Sequence, residues 1–459
     1  MGMNRIAARS AQPAPREEAI WQPLPVPTWL YWLTLALVFV APSQIAYAVD
    51  RKHGPFIAYA DIAAAAVVGL WLLWSLSRRQ AREWVWAPKH IWALLVVAAL
   101  SGLGAESLKD AILEIVQIGL YFVAAYMLFV NVLTTDERRR GALWTLLAST
   151  SLVVLYGLYH YVRASAAPAT SDPGLLMGVN SVFQSRSAYG GFLCLALPVF
   201  FGLVMWTDRQ WERYWALAVI LLGAVTMVAP PLVFVLALIL TLTALTWGGG
   251  ARAAITAGVA AAFLLFTVAF LPLNRQAFKE MLNPFEEGPI FKVMQADSGA
   301  EQPVNEAPVL KKRWIEWMPA LNMMAQNFML GVGAGNYQAN IGMPQYYGFL
   351  PNVKKSEPDT NNLYLVIGGS MGFAGMVCLL SYLGYFWRQA GKLWMHADSP
   401  WTRGLACGLH GAALSLLLTN LFSSLFVRGT GLIWALVFAL IAAKALENRV
   451  RGSQNAAEL

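Results

Sequence analysis

Long apolar segments recur along almost the whole chain, and they restrict its fold more than any other feature. A segment of roughly 17–25 apolar residues is long enough for one helix to cross the hydrocarbon core of a bilayer. Of the 459 residues, 58% are hydrophobic and only 13% are charged, and a water-soluble protein could not bury so much apolar surface. We therefore predict an all-α, polytopic membrane protein.

Twelve segments of this kind are predicted spans, and each is expected to form one membrane helix. The third is the shortest, and only Pro230 and Pro231 separate the seventh from the eighth. The predicted spans are residues 29–49, 57–77, 90–104, 108–133, 142–162, 187–206, 213–229, 231–247, 253–272, 363–386, 404–425 and 430–446.

The spans divide the chain into an N-terminal tail (1–28), nine spans (29–272), a large loop (273–362), three spans (363–446) and a C-terminal tail (447–459). Lysine and arginine number 19 in the short segments on one side and 6 on the other. The large loop is left out of this comparison, because long loops cross membranes largely regardless of their charge. The bias predicts that both termini are cytoplasmic and that the large loop is extracytoplasmic.

The large loop contains a segment with the pattern of an amphipathic helix. In "KKRWIEWMPALNMMAQNFML" (311–330), apolar residues recur at helical spacing, which predicts a short helix lying on the membrane surface. A glycine-rich turn and another short helix are expected in "GVGAGNYQANIG" (331–342). Because structureless loops of this length are uncommon, the segment is a candidate for function.

Basic residues at the outer mouth of the spans are candidates for binding a phosphate or diphosphate. Arg186 precedes the sixth span, and Lys312 and Arg313 open the amphipathic helix. A guanidinium group presents a fork of donors that suits phosphate oxygens. Alternatively, Arg186 is an interfacial arginine that reaches toward water, and the basic helix face binds anionic lipid.

Three carboxylates share one face of the fourth span, and several histidines offer possible bases. Glu106, Asp110 and Glu114 recur every four residues; they could hold a sugar, a basic partner or a proton, but we favour ion pairs with neighbouring helices. His160 lies near the outer surface and is a candidate base or a plain interfacial residue. No HExxH, CxxC or Walker A motif occurs, so we predict a site without metal, nucleotide or other cofactor.

Two adjacent amides, Asn361 and Asn362, begin the tenth span. They either cap the helix or face an outer cavity where a sugar hydroxyl docks, and the two roles are compatible. An amide is not basic and cannot accept a proton at neutral pH. If the chemistry needs a base, Asp359 and Glu357 lie just upstream, and His160 could approach from the fifth span.

Three stretches together resemble the O-antigen ligase and polymerase superfamily of bacterial envelope proteins. In the last of them, Asn362 is followed by nine residues and then by Gly372 and Gly375, as in the family signature, where His precedes Asn, Ser or Gln. The three stretches are "FQSRSAYGGFLCLALP" (183–198), "RWIEWMPALNMMAQNFMLGVGAGNY" (313–337) and "NNLYLVIGGSMGFAG" (361–375).

The resemblance implies a metal-independent glycosyltransferase in the bacterial inner membrane, acting at its periplasmic face. Its donor would be an undecaprenyl-diphosphate-linked glycan, and its acceptor a glycan or lipid A-core. Arg186 and Arg313 would hold the diphosphate, while Asn361, Asn362 and Asp359 would act at the transfer site. Membrane lipids and a chain-length regulator are further expected partners, and nucleic acid is not expected.

Two departures from the family pattern favour a polymerase over a ligase. Asn361 stands where ligases carry histidine, and "TMVAPPLVF" (226–234) lacks the Ser-Arg pair that many members have at this place. We therefore expect polymerisation of glycan repeat units for exopolysaccharide or O-antigen. The alternatives are a ligase acting on lipid A-core or protein, a transporter of lipid-linked glycan, and a relative that binds glycan without catalysis.

Overall fold

The computed structural model describes most of the predicted spans and part of the large loop. In the described part the chain is almost entirely helical, and each strand has only two or three residues. The described residues are 26–43, 46–48, 57–78, 84–166, 181–183, 186–227, 238–239, 241–242, 258, 302–303, 309–347, 353–354, 362–421, 423 and 430–457.

Thirteen helices can be delimited in the described residues, and α4 becomes π-helical over Gly119–Ala125. The helices are α1 (Thr28–Val40), α2 (Tyr59–Ser77), α3 (Lys89–Gly102), α4 (Leu108–Val132), α5 (Asp136–Ala166), α6 (Arg186–Trp206), α7 (Gln210–Thr226), α8 (Val309–Gln326), α9 (Tyr337–Asn340), α10 (Pro344–Tyr347), α11 (Leu363–Met395), α12 (Pro400–Thr419) and α13 (Gly431–Ala457).

Two small strand pairs accompany the helices. One pair is antiparallel and joins β1 (Ala46–Ala48) to β2 (Ile57–Ala58). The other is parallel and joins β3 (Gln302–Pro303) to β4 (Val353–Lys354). The predicted first span is therefore too long, because α1 ends at Val40, just before Pro42, whose ring does not fit a helix interior.

Six of the described helices are long and apolar enough to cross a membrane, namely α2, α4, α5, α6, α11 and α13. α1 and α3 are apolar but shorter, and α7 and α12 coincide with two further predicted spans. The predicted spans at 231–247 and 253–272 lie almost wholly outside the described residues. The chain is thus a multi-pass membrane protein whose described spans are built from helices.

In the described residues, α6 and α12 contact each other closely through glycines. A Cβ atom added at Gly202 would lie 2.1 Å from the carbonyl oxygen of Gly404, and one at Gly408 would lie 2.8 Å from Val199. Small residues let membrane helices approach this closely, where packing rather than the hydrophobic effect holds them together. Cys194 also lies beside Ser415, so the two helices run antiparallel.

A buried ion cluster joins the start of α5 to the inner part of α13. Arg139 is fully buried; its guanidinium donates to Asp136 at 2.7 Å and also to Glu447. Lys444 Nζ lies 3.1 Å from the same Glu447 carboxylate. Burying these charges requires such pairing. The charge pattern predicts both segments on one side of the membrane, and the cluster brings them into contact.

Candidate functional site

α11 is interrupted at Gly372, inside the stretch that resembles the family signature. Gly372 has φ 67° and ψ −167°, a conformation that is essentially restricted to glycine. The turn that follows α8 fills this break: the Phe373 N–H donates to Phe328 O at 2.7 Å, and the Ala374 N–H to Met329 O at 3.3 Å. The turn therefore accepts hydrogen bonds that the interrupted helix cannot supply itself.

The later residues of the same turn donate hydrogen bonds to the carbonyl groups that precede the break. The Val332 N–H donates to Gly369 O and the Gly333 N–H donates to Ser370 O, each at 3.0 Å. Gly331 has φ 68°, and a Cβ there would lie 2.4 Å from Ser370. Irregular backbone at membrane depth needs internal partners of this kind, so the glycine-rich turn and the broken helix form one unit.

The α3–α4 connection holds this unit from the opposite side. The Ser101 hydroxyl lies 2.6 Å from Leu330 O and 2.8 Å from Ser370 O, so it joins α3 to both parts. The Asn336 side chain accepts from the Ser107 N–H at 2.7 Å and donates to Ser107 O at 3.1 Å. These side chains fix the turn between α11 and the α3–α4 connection.

The carboxylate face of α4 contacts the glycine-rich turn. The Gly335 N–H donates to the Glu114 carboxylate, and a Cβ at Gly335 would lie 2.3 Å from Asp110 O. In the part of the chain that the structure describes, Glu106, Asp110 and Glu114 make no ion pair. The favoured ion pairs with neighbouring helices are thus not observed among these residues; Glu114 packs against the backbone of the turn, whereas Glu106 is exposed.

Asn362 begins α11 and is 5% exposed. Its side chain accepts the Leu365 N–H at 3.1 Å, so the predicted helix cap is confirmed. The Leu363 N–H donates to Asn420 O at the end of α12, at 2.9 Å. Because two N–H groups of the first turn are engaged by the protein, this helix end is poorly suited to bind an anion. Docking of a sugar hydroxyl at Asn362 stays a prediction.

The start of α6 lies at the same end of the bundle as the start of α11. Cys194 lies opposite Ser415, and Val199 lies against Gly408. Continuing this antiparallel register places Asn420 level with the first turn of α6, near Tyr189, and Arg186 lies about three residues further toward the same end. Since Asn420 also accepts the first N–H of α11, the first turns of α6 and α11 both lie beside the end of α12.

α8 packs on α11 and runs alongside it. A Cβ at Gly368 would lie 2.7 Å from Met324 Sδ, and one at Gly369 would lie 3.0 Å from Met323 Sδ. Arg313 precedes Met323 by ten residues, or about 15 Å of helix, which reaches past the start of α11. The predicted flat surface helix is therefore corrected, because the apolar residues of α8 pack on α11.

The structure does not bring His160 to the start of α11. His160 lies on α5 with its ring edge-on to Tyr156 at 4.5 Å. α5 packs on α1 and α7, whereas α11 packs on α3, α8 and α12. Gly157 faces Tyr189 in the first turn of α6. Among the described residues no contact joins His160 to Asn362, and the role of His160 as a base stays a prediction.

Several predicted site groups lie outside the described part of the chain. Asn361, Asp359 and Glu357 fall on undescribed residues, and their roles stay predictions. The helices that carry Arg186, Lys312 and Arg313 are described, but the side chains of these three residues are not. Among the residues that are described, no group of three or more His, Cys, Asp or Glu side chains could hold a metal ion.

Sequence reasoning missed Asn420, which accepts the first N–H of α11. Asn420 is fully buried, and its neighbour Thr419 is buried as well. A signal is present in the sequence, since Thr419 and Asn420 interrupt the apolar run "LLLTNLF" (416–422) near the end of the predicted span. Polar side chains at such a position are costly unless they bind a partner.

Comparison with models of known protein families gives no match, and comparison with curated proteins gives none either. The functional argument therefore rests on the chain itself. Its strongest element is geometric: α8 and its glycine-rich turn pack on α11, and α6 and α11 both pack on α12.

Proposed function

We propose that this chain is an inner-membrane glycosyltransferase that polymerises undecaprenyl-diphosphate-linked glycan repeat units at the periplasmic face. In this proposal it has twelve spans, cytoplasmic termini and a large periplasmic loop. One observation carries the proposal. Three stretches that are distant in sequence, and that jointly resemble the O-antigen ligase and polymerase superfamily, lie on neighbouring helices: α8 and its turn pack on α11, and α6 and α11 both pack on α12.

The proposed chemistry assigns the diphosphate to arginines. Arg186 and Arg313, with Lys312, stabilise the negative charge that grows on the leaving diphosphate. Because N–H groups of the first turn of α11 are occupied, guanidinium groups are the better candidates for holding this anion. Asn361 and Asn362 orient the acceptor glycan.

In the transfer step an acceptor hydroxyl oxygen forms a bond to the anomeric carbon of the donor. The bond from that carbon to the diphosphate oxygen breaks, and undecaprenyl diphosphate leaves with the bonding electron pair. The hydroxyl proton passes to a base, for which Asp359 and Glu357 are the proposed candidates. No metal or nucleotide enters the step.

The break in α11 bears on the transporter alternative. Transporters often place ions or substrates at broken helices, where unwound carbonyl groups are free to coordinate them. Here Gly369 O and Ser370 O accept hydrogen bonds from the glycine-rich turn, and Ser101 also reaches Ser370 O. The break is occupied by the protein itself, which favours chemistry at the outer end over a transport pathway.

Purified protein in nanodiscs tests the proposal. It is mixed with undecaprenyl-diphosphate-linked repeat units from the native host, with and without lipid A-core, and the glycans are separated on a gel. A ladder without added acceptor is the expected result. A single shifted product that requires lipid A-core would instead establish a ligase, and no product despite donor binding would favour binding or transport.

Arginine variants connect the activity to the proposed site. Arg186→Ala and Arg313→Ala should each lower the transfer rate about 10²–10³-fold, as expected for loss of a transition-state donor. Arg313→Lys should restore only part of the rate, because an ammonium group lacks the bidentate fork. Lys392→Ala, at an exposed position near the other end of α11, is the matched control. Equal rates in all four variants would remove the diphosphate assignment.

A further inference from the structure

Asn420 carries a buried polar atom that nothing in the proposed mechanism uses. The residue is fully buried, and its Oδ1 atom has no hydrogen-bond donor among the described residues. Buried amide oxygens almost always have a partner, and one without a partner is unfavourable by about 1–3 kcal/mol. An orphaned acceptor at this position therefore indicates that a partner is supplied from outside the described part of the protein.

The orientation of the amide is fixed by its own helix. The Nδ2 atom donates to Leu416 O at 2.7 Å, one turn back along α12. Exchanging the oxygen and nitrogen positions would place two oxygen acceptors against each other, so the network assigns the orientation. The acceptor Oδ1 is the amide atom left without a partner within the described residues.

Asn420 adjoins the start of α11 and lies close to the protein surface. Its backbone oxygen accepts the Leu363 N–H at 2.9 Å, so the amide belongs to the same junction as Asn362. The next residue, Leu421, is 39% exposed. The register of α6 and α12 also places the first turn of α6 beside this junction. The amide is thus next in sequence to an exposed residue, at the junction of α11 and α12.

The chemistry of the free atom restricts its partner. An amide oxygen only accepts hydrogen bonds, and a diphosphate at neutral pH offers acceptors alone, so the two would not bind each other. A sugar hydroxyl is a donor and fits. We propose that Asn420 Oδ1 accepts a hydrogen bond from a hydroxyl of the acceptor glycan and thereby positions that glycan beside Asn362. This inference rests on the proposed function and assigns a positioning residue to it.

A binding measurement on the full-length protein in nanodiscs tests the assignment without requiring turnover. One probe is the repeat-unit oligosaccharide, released from its lipid by mild acid and labelled with a fluorophore. The other probe is undecaprenyl diphosphate, which carries the anion but no sugar. Asn420→Ala should weaken oligosaccharide binding about tenfold, the loss of roughly one hydrogen bond to a sugar, and leave undecaprenyl diphosphate binding unchanged.

Asn131 provides a matched control. It is a buried amide near the inner end of α4 whose atoms are all paired: Oδ1 accepts from Val85 N–H, and Nδ2 donates to Val85 O and Met127 O. Asn131→Ala should lower thermal stability without changing either affinity. A merely structural role for Asn420 would give the same pattern as Asn131 and would overturn the inference.

The possible failures are distinguishable. If the unmodified protein binds the oligosaccharide and Asn420→Ala binds it equally well, the role of Asn420 is wrong while the proposed function stands. If the unmodified protein binds neither the oligosaccharide nor undecaprenyl diphosphate, the proposed function itself is wrong. Should Asn420→Ala not fold, Asn420→Thr keeps a polar side chain that can bond to the i−4 carbonyl, and it is expected to show the same selective loss.

Discussion

Replacing Gly372 by alanine should destabilise the protein strongly, because the break in α11 depends on this residue. An alanine at φ 67°, ψ −167° would be strained by about 1–3 kcal/mol. Its methyl carbon would also lie 2.4 Å from the backbone carbonyl of Met329, and overpacking typically adds about 1–3 kcal/mol. The expected loss is therefore about 2–6 kcal/mol, a large part of the stability of an ordinary domain.

Gly384 on the same helix is the matched control. Nothing lies within 4 Å of a Cβ atom added there, and its backbone is helical. Alanine has the higher helix propensity, by about 1 kcal/mol in soluble helices. Gly384→Ala should therefore leave the stability unchanged or raise it slightly, although it makes the same chemical change as Gly372→Ala.

Buried cysteines provide the assay. Cys194 and Cys407 form no disulfide and are fully buried, one on α6 and one on α12, so a thiol-reactive fluorophore reaches them only when these helices separate. In detergent, with the less buried Cys378 replaced by serine, the reaction midpoint on heating should fall clearly for Gly372→Ala and not for Gly384→Ala. Equal midpoints for the two variants would refute the argument that the break is built around glycine.

The remaining predictions use the same thermal assay. Arg139→Met should destabilise the protein by about 3–5 kcal/mol, since Lys444 is then the remaining cation in contact with Asp136 and Glu447. The control Lys392→Ala, at an exposed position, should have little effect on the reaction midpoint. Equal midpoints for these two variants would contradict a structural role for the buried cluster. Ser101→Ala should lower stability by about 1–3 kcal/mol through the lost hydroxyl bond to the turn. Ser77→Ala, which removes only an exposed bond within its own helix, should be close to neutral, and no difference between the two serines would count against the proposed linkage.

The helices were predictable from the sequence because the bilayer leaves few alternatives. Backbone groups at membrane depth must bond within their own segment, so an apolar run of sufficient length forms a helix. Helices occur at ten of the twelve predicted spans, and the other two lie almost wholly outside the described residues. The helix at 309–326 and the Asn362 cap were predicted for the same local reasons.

Features that depend on distant partners were not predictable. Gly372 fits a continuous apolar helix by sequence, and its break arises because Met329 and Phe328 pack there. The ion pair between Arg139 and Glu447 joins residues separated by 308 positions. Carboxylate spacing on α4 indicated a shared face but could not show that this face meets the backbone of a turn. The local sequence pattern determines where helices form, whereas the candidate site depends on how those helices pack together.

The interruption of α11 at Gly372, which the glycine-rich turn fills, links the fold to the proposed chemistry. A helix interrupted inside a membrane protein exposes carbonyl groups, which must be satisfied by ions, water or protein. Here the glycine-rich turn supplies the partners, and the turn is covalently continuous with α8, whose first turns carry Lys312 and Arg313. The break therefore acts as an anchor that fixes the height of α8 beside α11. Arginines proposed to stabilise a leaving diphosphate gain most from such fixed placement, because preorganised charge needs no rearrangement during the reaction.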